Sequence, residues 1–518
     1  MKIKFTIIVA ALFLILYLSA SAQNAFLKTY GGINNDYCTY VQQTTDGGYI
    51  MAGYTNNFGA GSFDDIYLVR INSIGDTLWT KTYGGAGQER AYAVEQISDG
   101  GFIITGYTDS FGVVNDDVYL IRIDANGNTV WSKTYGGDGL DFGYAVKQTS
   151  DGGFIVAGST DLGSANGSLY LLRIGSEGDT IFTKVIGGSG IDRASAVCQT
   201  TDGGFIIGGY TSSYGAGGND FYLLKTTSSG IISWEKTYGG ANSDQGNDVQ
   251  QTTDGGYIFV GNSMSFGAGA NDVYLIKTDA NGIPAWSKTY GGVNSEYGNS
   301  VQQTSNGGYM VAGYSASFAG DYLIKTDAVG NPVWTKAIGG TVFDWGNSMQ
   351  QTSDGGFVIG GYTMSFGSGN MDISLIKTDA DGNISCSEVT PATITAVAAT
   401  QTGSPTSLVS YGGQMRTPST VSHSGGNVST VCFTTGINEQ TPGNSITISP
   451  NPFNKEIVII GTHENETLVL SDFAGKIIIQ LTSDSGETRI NTENISPGAY
   501  VLSIVAGNTN KSYKIIKY

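Results

Sequence analysis

Residues 81–132 read KTYGGAGQERAYAVEQISDGGFIITGYTDSFGVVNDDVYLIRIDANGNTVWS, and they hold one complete structural unit. YAVEQ, FIITGYT and VYLIRI have strand character, and TVWSKTY, running from Thr129, makes a fourth. SDGG, a longer glycine-rich loop and DANGN separate them. Asp-Gly and Asn-Gly are hairpin chemistry, because those turns need positive φ and glycine takes it without steric cost. Asp-Gly-Gly followed by Phe or Tyr recurs from Asp46, Asp99, Asp151, Asp202, Asp254 and Asp354, with Asn306 replacing the Asp once. The successive spacings are 53, 52, 51, 52, 52 and 48 residues, and no segment shows sustained helical periodicity. Seven four-stranded antiparallel units predict an all-β fold, a seven-bladed β-propeller.

The ends of the array predict how the ring closes. W-x-K-T-Y-G-G begins at Trp79, Trp131, Trp234 and Trp286, with variants at Phe182 and Trp334. A further copy, Phe26 to Gly32, precedes the first triplet, and the last triplet ends at DADGNISC without one. Seven triplets and seven outer strands match only if residues 26–32 complete the last blade, leaving no open edge at the join. The repeated Trp or Phe reads as core between blades.

Composition narrows the function classes. The 518 residues carry 26 basic against 44 acidic side chains, a net charge of −18, which argues against nucleic acid or an anionic membrane as partner. The only histidines are His423 and His463, so a histidine-dependent nucleophile or metal site is nearly excluded from the first 400 residues. Nothing marks a cofactor site. Four cysteines (Cys38, Cys198, Cys386, Cys432) are too few for a disulfide framework, although Cys386 and Cys432 bracket a segment one bridge would close.

The repeat is similar to the bacterial β-propeller repeat family: Gly136-Gly137, Asp141, Gly143, Ala145-Val146, Asp151, Gly153 and Gly158-Ser159-Thr160 match its pattern. The resemblance implies a propeller over about 360 residues and no particular activity.

The termini read as addresses. Lys2 and Lys4 precede an apolar run from Phe5 to Tyr17, and Ala20-Ser21-Ala22 supplies a cleavage site, so residues 1–22 read as a signal peptide. That run is shorter than the roughly 20 residues a span needs, so no membrane span is expected after its removal. Residues 23–386 are the expected propeller. Residues 387–445, rich in Ser, Thr, Gly and Val, read as a linker. Residues 446–518 resemble the C-terminal sorting domain of type IX secretion substrates, a small β-sandwich. The matches are Pro450-Asn451-Pro452-Phe453, Asp472 with Gly475-Lys476, Pro497-Gly498-Ala499-Tyr500 and Lys514-Ile515-Ile516-Lys517. That resemblance implies engagement with the type IX secretion machinery, export through the periplasm, and a secreted or cell-surface location.

Two positions are candidates for a site on the long-loop face. Four residues after each Gly-Gly stands an acid: Asp36, Glu89, Asp141, Asp192, Asp244, Glu296 and Asp344. Loop-fixing hydrogen bonds, with Lys81-type and Arg122-type partners, are the simpler reading. Calcium on Asp36, Asp141, Asp192, Asp244 and Asp344 is the sharper one, since hard cations want six to eight oxygens. The next position differs from blade to blade: Tyr37, Arg90, Phe142, Arg193, Gln245, Tyr297 and Trp345. Near a channel mouth these would stack on sugar rings and bond their hydroxyls, or pack on one another as a plug. The expected function is extracellular binding or adhesion, to a glycan or protein. The alternatives are a glycosidase-like enzyme, for which Glu95, at a position otherwise mostly Gln, is the nearest to a singular acid, and a structural spacer in surface assembly.

Overall fold

The computed structural model describes residues 24–384 apart from 60–61, 113–114 and 162–166, the strands between 388 and 435, and most of 447–517. The signal peptide and Cys386 lie outside the described residues, and with them the bridge suggested for Cys386 and Cys432. The chain divides into two units, Met1–Gly436 and Ile437–Tyr518.

In the first unit seven antiparallel sheets follow the repeat. The first blade runs Asp36–Gln43, Tyr49–Thr55, Asp65–Ile71 and Thr77–Gly84 from the axis outward. The second and third strands are buried almost throughout, because neighbouring blades cover both of their faces. The seventh blade takes its outer strand from the chain start: Asn24–Gly31 pairs with Asp372–Thr378, with Phe26 opposite Lys377 and Tyr30 opposite Ile373. This is the closure the strand count predicts.

Outer-strand aromatics join each blade to the next. Trp79 meets Phe102, Trp131 meets Phe154, Trp234 meets Tyr257, Trp286 meets Tyr309 and Trp334 meets Phe357, with centroids 5.7–6.4 Å apart. Phe26 and Tyr49 repeat the contact across the ring join at 6.5 Å. Such pairs contribute about 0.5–1.5 kcal/mol beyond their buried area.

A second seam lies on the tight-turn face. The last glutamine of each inner strand accepts a hydrogen bond from a turn amide of the preceding blade, between 2.8 and 3.2 Å, in all seven blades. Gln43 closes this ring by accepting from Ser353, 310 residues away in sequence. The glutamines are conspicuous in the sequence, but their partners lie one blade away and no local pattern reveals them.

The segment expected as a linker carries strands. Glu388–Val389, Ile394–Val397, Gln401–Gly403, Leu408–Ser410, Gln414–Arg416 and Val421–His423 pair with the outer strands of the sixth, fifth, fourth, third, second and first blades in turn. Asn427–Thr435 then pairs with Asn24–Gly31 along its whole length. Each blade thus gains a fifth strand, and the chain circles the ring once backwards as a belt. Short runs of two to four residues of mixed type suffice for the first six, because an added edge strand needs backbone groups more than particular side chains.

The second unit forms two sheets. One contains Thr447–Ser449, Glu456–Ile460 and Glu487–Asn491. The other orders Ile477–Thr482, Thr467–Asp472, Gly498–Ala506 and Thr509–Lys517. Ile457, Ile459, Leu468, Leu470, Leu502 and Ile504 share one apolar core.

Candidate functional site at the channel mouth

The inner strands carry one irregularity seven times. After the third residue the register slips by one, a β-bulge recorded between Cys38 and Tyr40 and at the same place in every blade. A bulge leaves one residue outside the ladder and re-aims its side chain. The bulged residues are Thr39, Tyr92, Tyr144, Ser195, Asn247, Asn299 and Asn347, and all seven line the central channel. The glycine of each G-[YSN]-[TS] sequence is explained by the same feature. A Cβ at Gly53 would collide with the Tyr37 carbonyl oxygen, and Gly106 and Gly158 stand identically against Arg90 and Phe142. Sequence reading missed the bulge position, because its residues share no type.

On four blades the bulged side chain ties to the next blade. Thr39 Oγ1 donates to the Ala91 carbonyl, Asn247 Nδ2 to Gly298, Asn299 Nδ2 to Gly346 and Asn347 Nδ2 to Cys38, between 2.7 and 2.9 Å. Each of these asparagines donates through Nδ2, which leaves Oδ1 as its other polar atom. Tyr92 and Tyr144 make the opposite side aromatic, so the channel has an amide side and a tyrosine side.

Above the bulges lies a mouth of about 460 Å3. Of the seven varied residues, Tyr37, Arg90, Arg193 and Trp345 line it, joined by Tyr54 and Tyr362. Each varied residue stands opposite the central residue of a G-[YSN]-[TS] sequence, as Tyr37 does Tyr54 and Trp345 does Tyr362. Trp345 is stacked on Tyr314 at 4.3 Å and lies parallel to Tyr362 at 6.3 Å. Tyr37 is stacked on Tyr54 at 4.5 Å. Phe142, Gln245 and Tyr297 do not line the mouth. Phe142 packs between Tyr107 and Tyr144, and Tyr297 accepts from Asn271 Nδ2 at 3.3 Å.

The seven acids beside them are buried loop fasteners. Each accepts the amide of the second glycine four residues earlier, at 2.7–2.8 Å, as Asp36 does from Gly32 and Asp344 from Gly340. Each also takes a Thr or Ser hydroxyl from the second strand, Thr108 for Glu89 and Thr363 for Asp344. Among the described residues no three His, Cys, Asp or Glu side chains cluster as a metal would require. The cations expected beside these acids go elsewhere. Arg122 pairs with the turn acid Asp99 at 2.6 Å, and Lys28 and Lys133, at the Lys81 position, pair with Asp76 and Asp179 of the next blade. Strand register carries them to the tight-turn end, away from the mouth.

A second acid, first in the third strand, meets the first across the blade boundary. A Cβ at Gly31 would meet both Asp36 and Asp372, and one at Gly239 both Asp220 and Asp244; at Gly187 and Gly339 only the first acid stands in the way. Burial pushes Asp36 up to about 6, with Asp372 adding repulsion against the lowering bonds from Thr55, Gly32 and Asn57. Asp220 is likewise pushed up to about 6 by burial, with Asp244 close by.

Deeper, a cavity of about 390 Å3 holds Lys147, Cys198 and Asp248. Lys147 Nζ lies 3.2 Å from the Tyr40 hydroxyl and 3.7 Å from Glu95. Glu95 also accepts the Gln148 amide, the task that Gln42 and Gln350 perform for Gln96 and Gln43. Asp248 accepts the Val301 amide at 2.8 Å, and burial holds its carboxyl above the usual range.

The secretion system C-terminal sorting domain model matches residues 447–518. No curated protein matches the chain. Among solved structures, PorZ, an essential bacterial surface component of the type-IX secretion system of Porphyromonas gingivalis, aligns at 12% identity and TM-score 0.36, covering 94% of this chain and 75% of PorZ. Sqt1 from Chaetomium thermophilum aligns at 9% identity and TM-score 0.39, covering 64% of this chain and 81% of its own. At these scores neither likeness bears on what the chain does. Residues 447–518 are a secretion sorting domain, and the chain is a β-propeller protein exported through the periplasm to the outer cell surface.

Proposed function

We propose that the propeller is a recognition module that binds an extracellular glycan at its channel mouth. One observation carries the reading. Blade after blade repeats its turns, fasteners and core, yet the mouth is lined by unlike groups: Tyr37, Arg90, Arg193 and Trp345, with asparagine acceptors below them. Aromatic faces beside amide and guanidinium groups suit sugar rings, which present apolar faces and peripheral hydroxyls. A hydrolase would need two carboxylates available to substrate, whereas Glu95 and Asp248 each hold a backbone amide of the next blade. That commitment favours recognition over hydrolysis.

The test is a glycan array probed with the mature protein and two variants. Trp345→Ala should lower binding at least tenfold with only a modest fall in melting temperature, since Trp345 is partly exposed at the mouth and lies outside the blade cores. Asp344→Ala should lower stability by about 1–3 kcal/mol, because its partners lose a buried acceptor. A Trp345 variant that melts early and binds normally would make the aromatics a plug and defeat the reading.

A further inference from the structure

Arg90 and Arg193 occupy the same position two blades apart, and each lies over a tyrosine of the preceding blade. The Arg90 guanidinium lies over the Tyr54 ring at 4.4 Å, and that of Arg193 over Tyr144 at 3.6 Å. Their charges are treated differently. Arg90 is neutralised by Asp64, with Nη2 at 2.6 Å and Nε at 2.8 Å from Oδ2. Arg193 has no carboxylate partner among the described residues, and its Nε is shielded from solvent without a hydrogen-bond acceptor.

The repeat itself shows why. Asp64 accepts the Glu89 amide at 2.7 Å, and the residue that accepts the corresponding Asp192 amide, at 3.1 Å, is Gly167. Asn271 stands there for Tyr297 and bonds it. The loop before Arg193 has therefore lost the side chain that would satisfy the residue at the mouth. An unpaired guanidinium, lying over a tyrosine ring and lining a cavity in a chain of net charge −18, is costly to leave without a counter-charge.

We infer that Arg193 is an anion subsite, and that the glycan bound at the mouth carries a ring-borne carboxylate or sulfate which takes the place Asp64 holds beside Arg90. The inference rests on the reading of the mouth as a glycan site. It deepens that reading by assigning the acidic group to one side, Arg193 over Tyr144. The neutral face of the sugar goes to Trp345 and Tyr362, and its hydroxyls to the asparagines.

The experiment compares two matched pairs of probes on the full mature protein: polygalacturonate oligosaccharides against their carboxyl-reduced counterparts, and dextran sulfate against dextran. The charged member of one pair should bind roughly tenfold or more tightly than its neutral counterpart. The pair that shows the preference identifies carboxylate or sulfate. Arg193→Gln should erase the preference, bringing charged-probe affinity down to that of the neutral counterpart. Gly167→Asp, which builds an internal partner, should weaken charged-probe binding more than Gly167→Asn, which shares its backbone strain at φ +87°. A preference that survives Arg193→Gln, or a wild type that binds both members of each pair equally, overturns the anion subsite and leaves the mouth reading standing. Binding that survives Trp345→Ala defeats the mouth reading itself. No binding of any of the four probes defeats both.

Discussion

Lys325 Nζ donates to the Ala380 carbonyl at 2.9 Å, across the boundary between the sixth and seventh blades. In the other six blades the corresponding cation pairs with the turn aspartate, as Arg70 does with Asp46 at 2.6 Å and Lys277 with Asp254 at 2.9 Å. Asn306 stands in the aspartate's place and gives Lys325 no charge to meet. Asn306→Asp should therefore draw Lys325 into an ion pair. The gain should be about 0.5–1 kcal/mol for a partly exposed pair, read by denaturant unfolding at low salt and shrinking at high salt. A loss of stability would mean that the Ala380 contact matters more than the turn pair.

The ring join should be the most sensitive place in the propeller. Phe26 is fully buried, meets Tyr49 across the join, and sits on a strand that seals the last blade. Phe26→Ala should destabilise the ring by about 3–5 kcal/mol, with Trp334→Ala costing less because that ring is only partly buried. Equal effects in thermal unfolding would argue that the join is no different from any other blade boundary.

Stability should rise as pH falls from 7.5 to about 5. Asp36 and Asp220 titrate near 6 in the fold against an ordinary value of 3.8, so the folded state binds their protons more tightly. Their contribution is complete below about 4 and is lost as pH rises through 6, by an order of 1–3 kcal/mol for each group. The turn acids Asp202 and Asp254 behave oppositely. Hydrogen bonds and the paired lysines bring them, despite some burial, to about 2, so their contribution fades only in strong acid. Asp220→Asn should stabilise the protein at pH 8 and flatten the profile between 5 and 7. A melting temperature that falls between pH 7.5 and 5 would contradict this.

The belt should protect the outer edges. A chain ending at residue 436 should stay monomeric, whereas one ending at 384 uncovers the outer edge of Asn24–Gly31 and two to four further residues of every other outer strand. The shorter chain should melt at lower temperature and self-associate with rising concentration in light scattering. Identical behaviour of the two would show that the belt adds no stability.

The propeller was legible in the sequence because its turns impose residue types. Asp46 and its relatives mark hairpins, and seven outer strands for six following slots required Phe26 to cross the join. The acids were legible too, since a group repeated seven times answers a need that every blade shares. The mouth was read in part. Tyr37, Arg90, Arg193 and Trp345 were visible as variation, but Tyr54 and Tyr362 hid inside a motif that looked purely structural. Thr39, Tyr92 and Asn247 hid because a bulge constrains backbone and leaves the side chain free to differ. The belt left no mark, because Gln401–Gly403 and Val421–His423 contribute peptide groups, which every sequence has.

The belt also sets an order of events. Asn24–Gly31 emerges first from the ribosome among the propeller strands, yet its inner neighbour is Asp372–Thr378 and its outer neighbour Asn427–Thr435. It must wait, with both edges unsatisfied, until nearly the whole chain exists. Contacts this distant form slowly, since the closure entropy of the intervening loop must be overcome before any bond forms. The earliest-made strand is thus the last to be completed, and its two flanking partners sit at the far end of the chain, just ahead of the sorting domain. A chain held short of residue 372 is an open ring, and one held between 378 and 427 has closed its last blade but left the outer edge of Asn24–Gly31 bare.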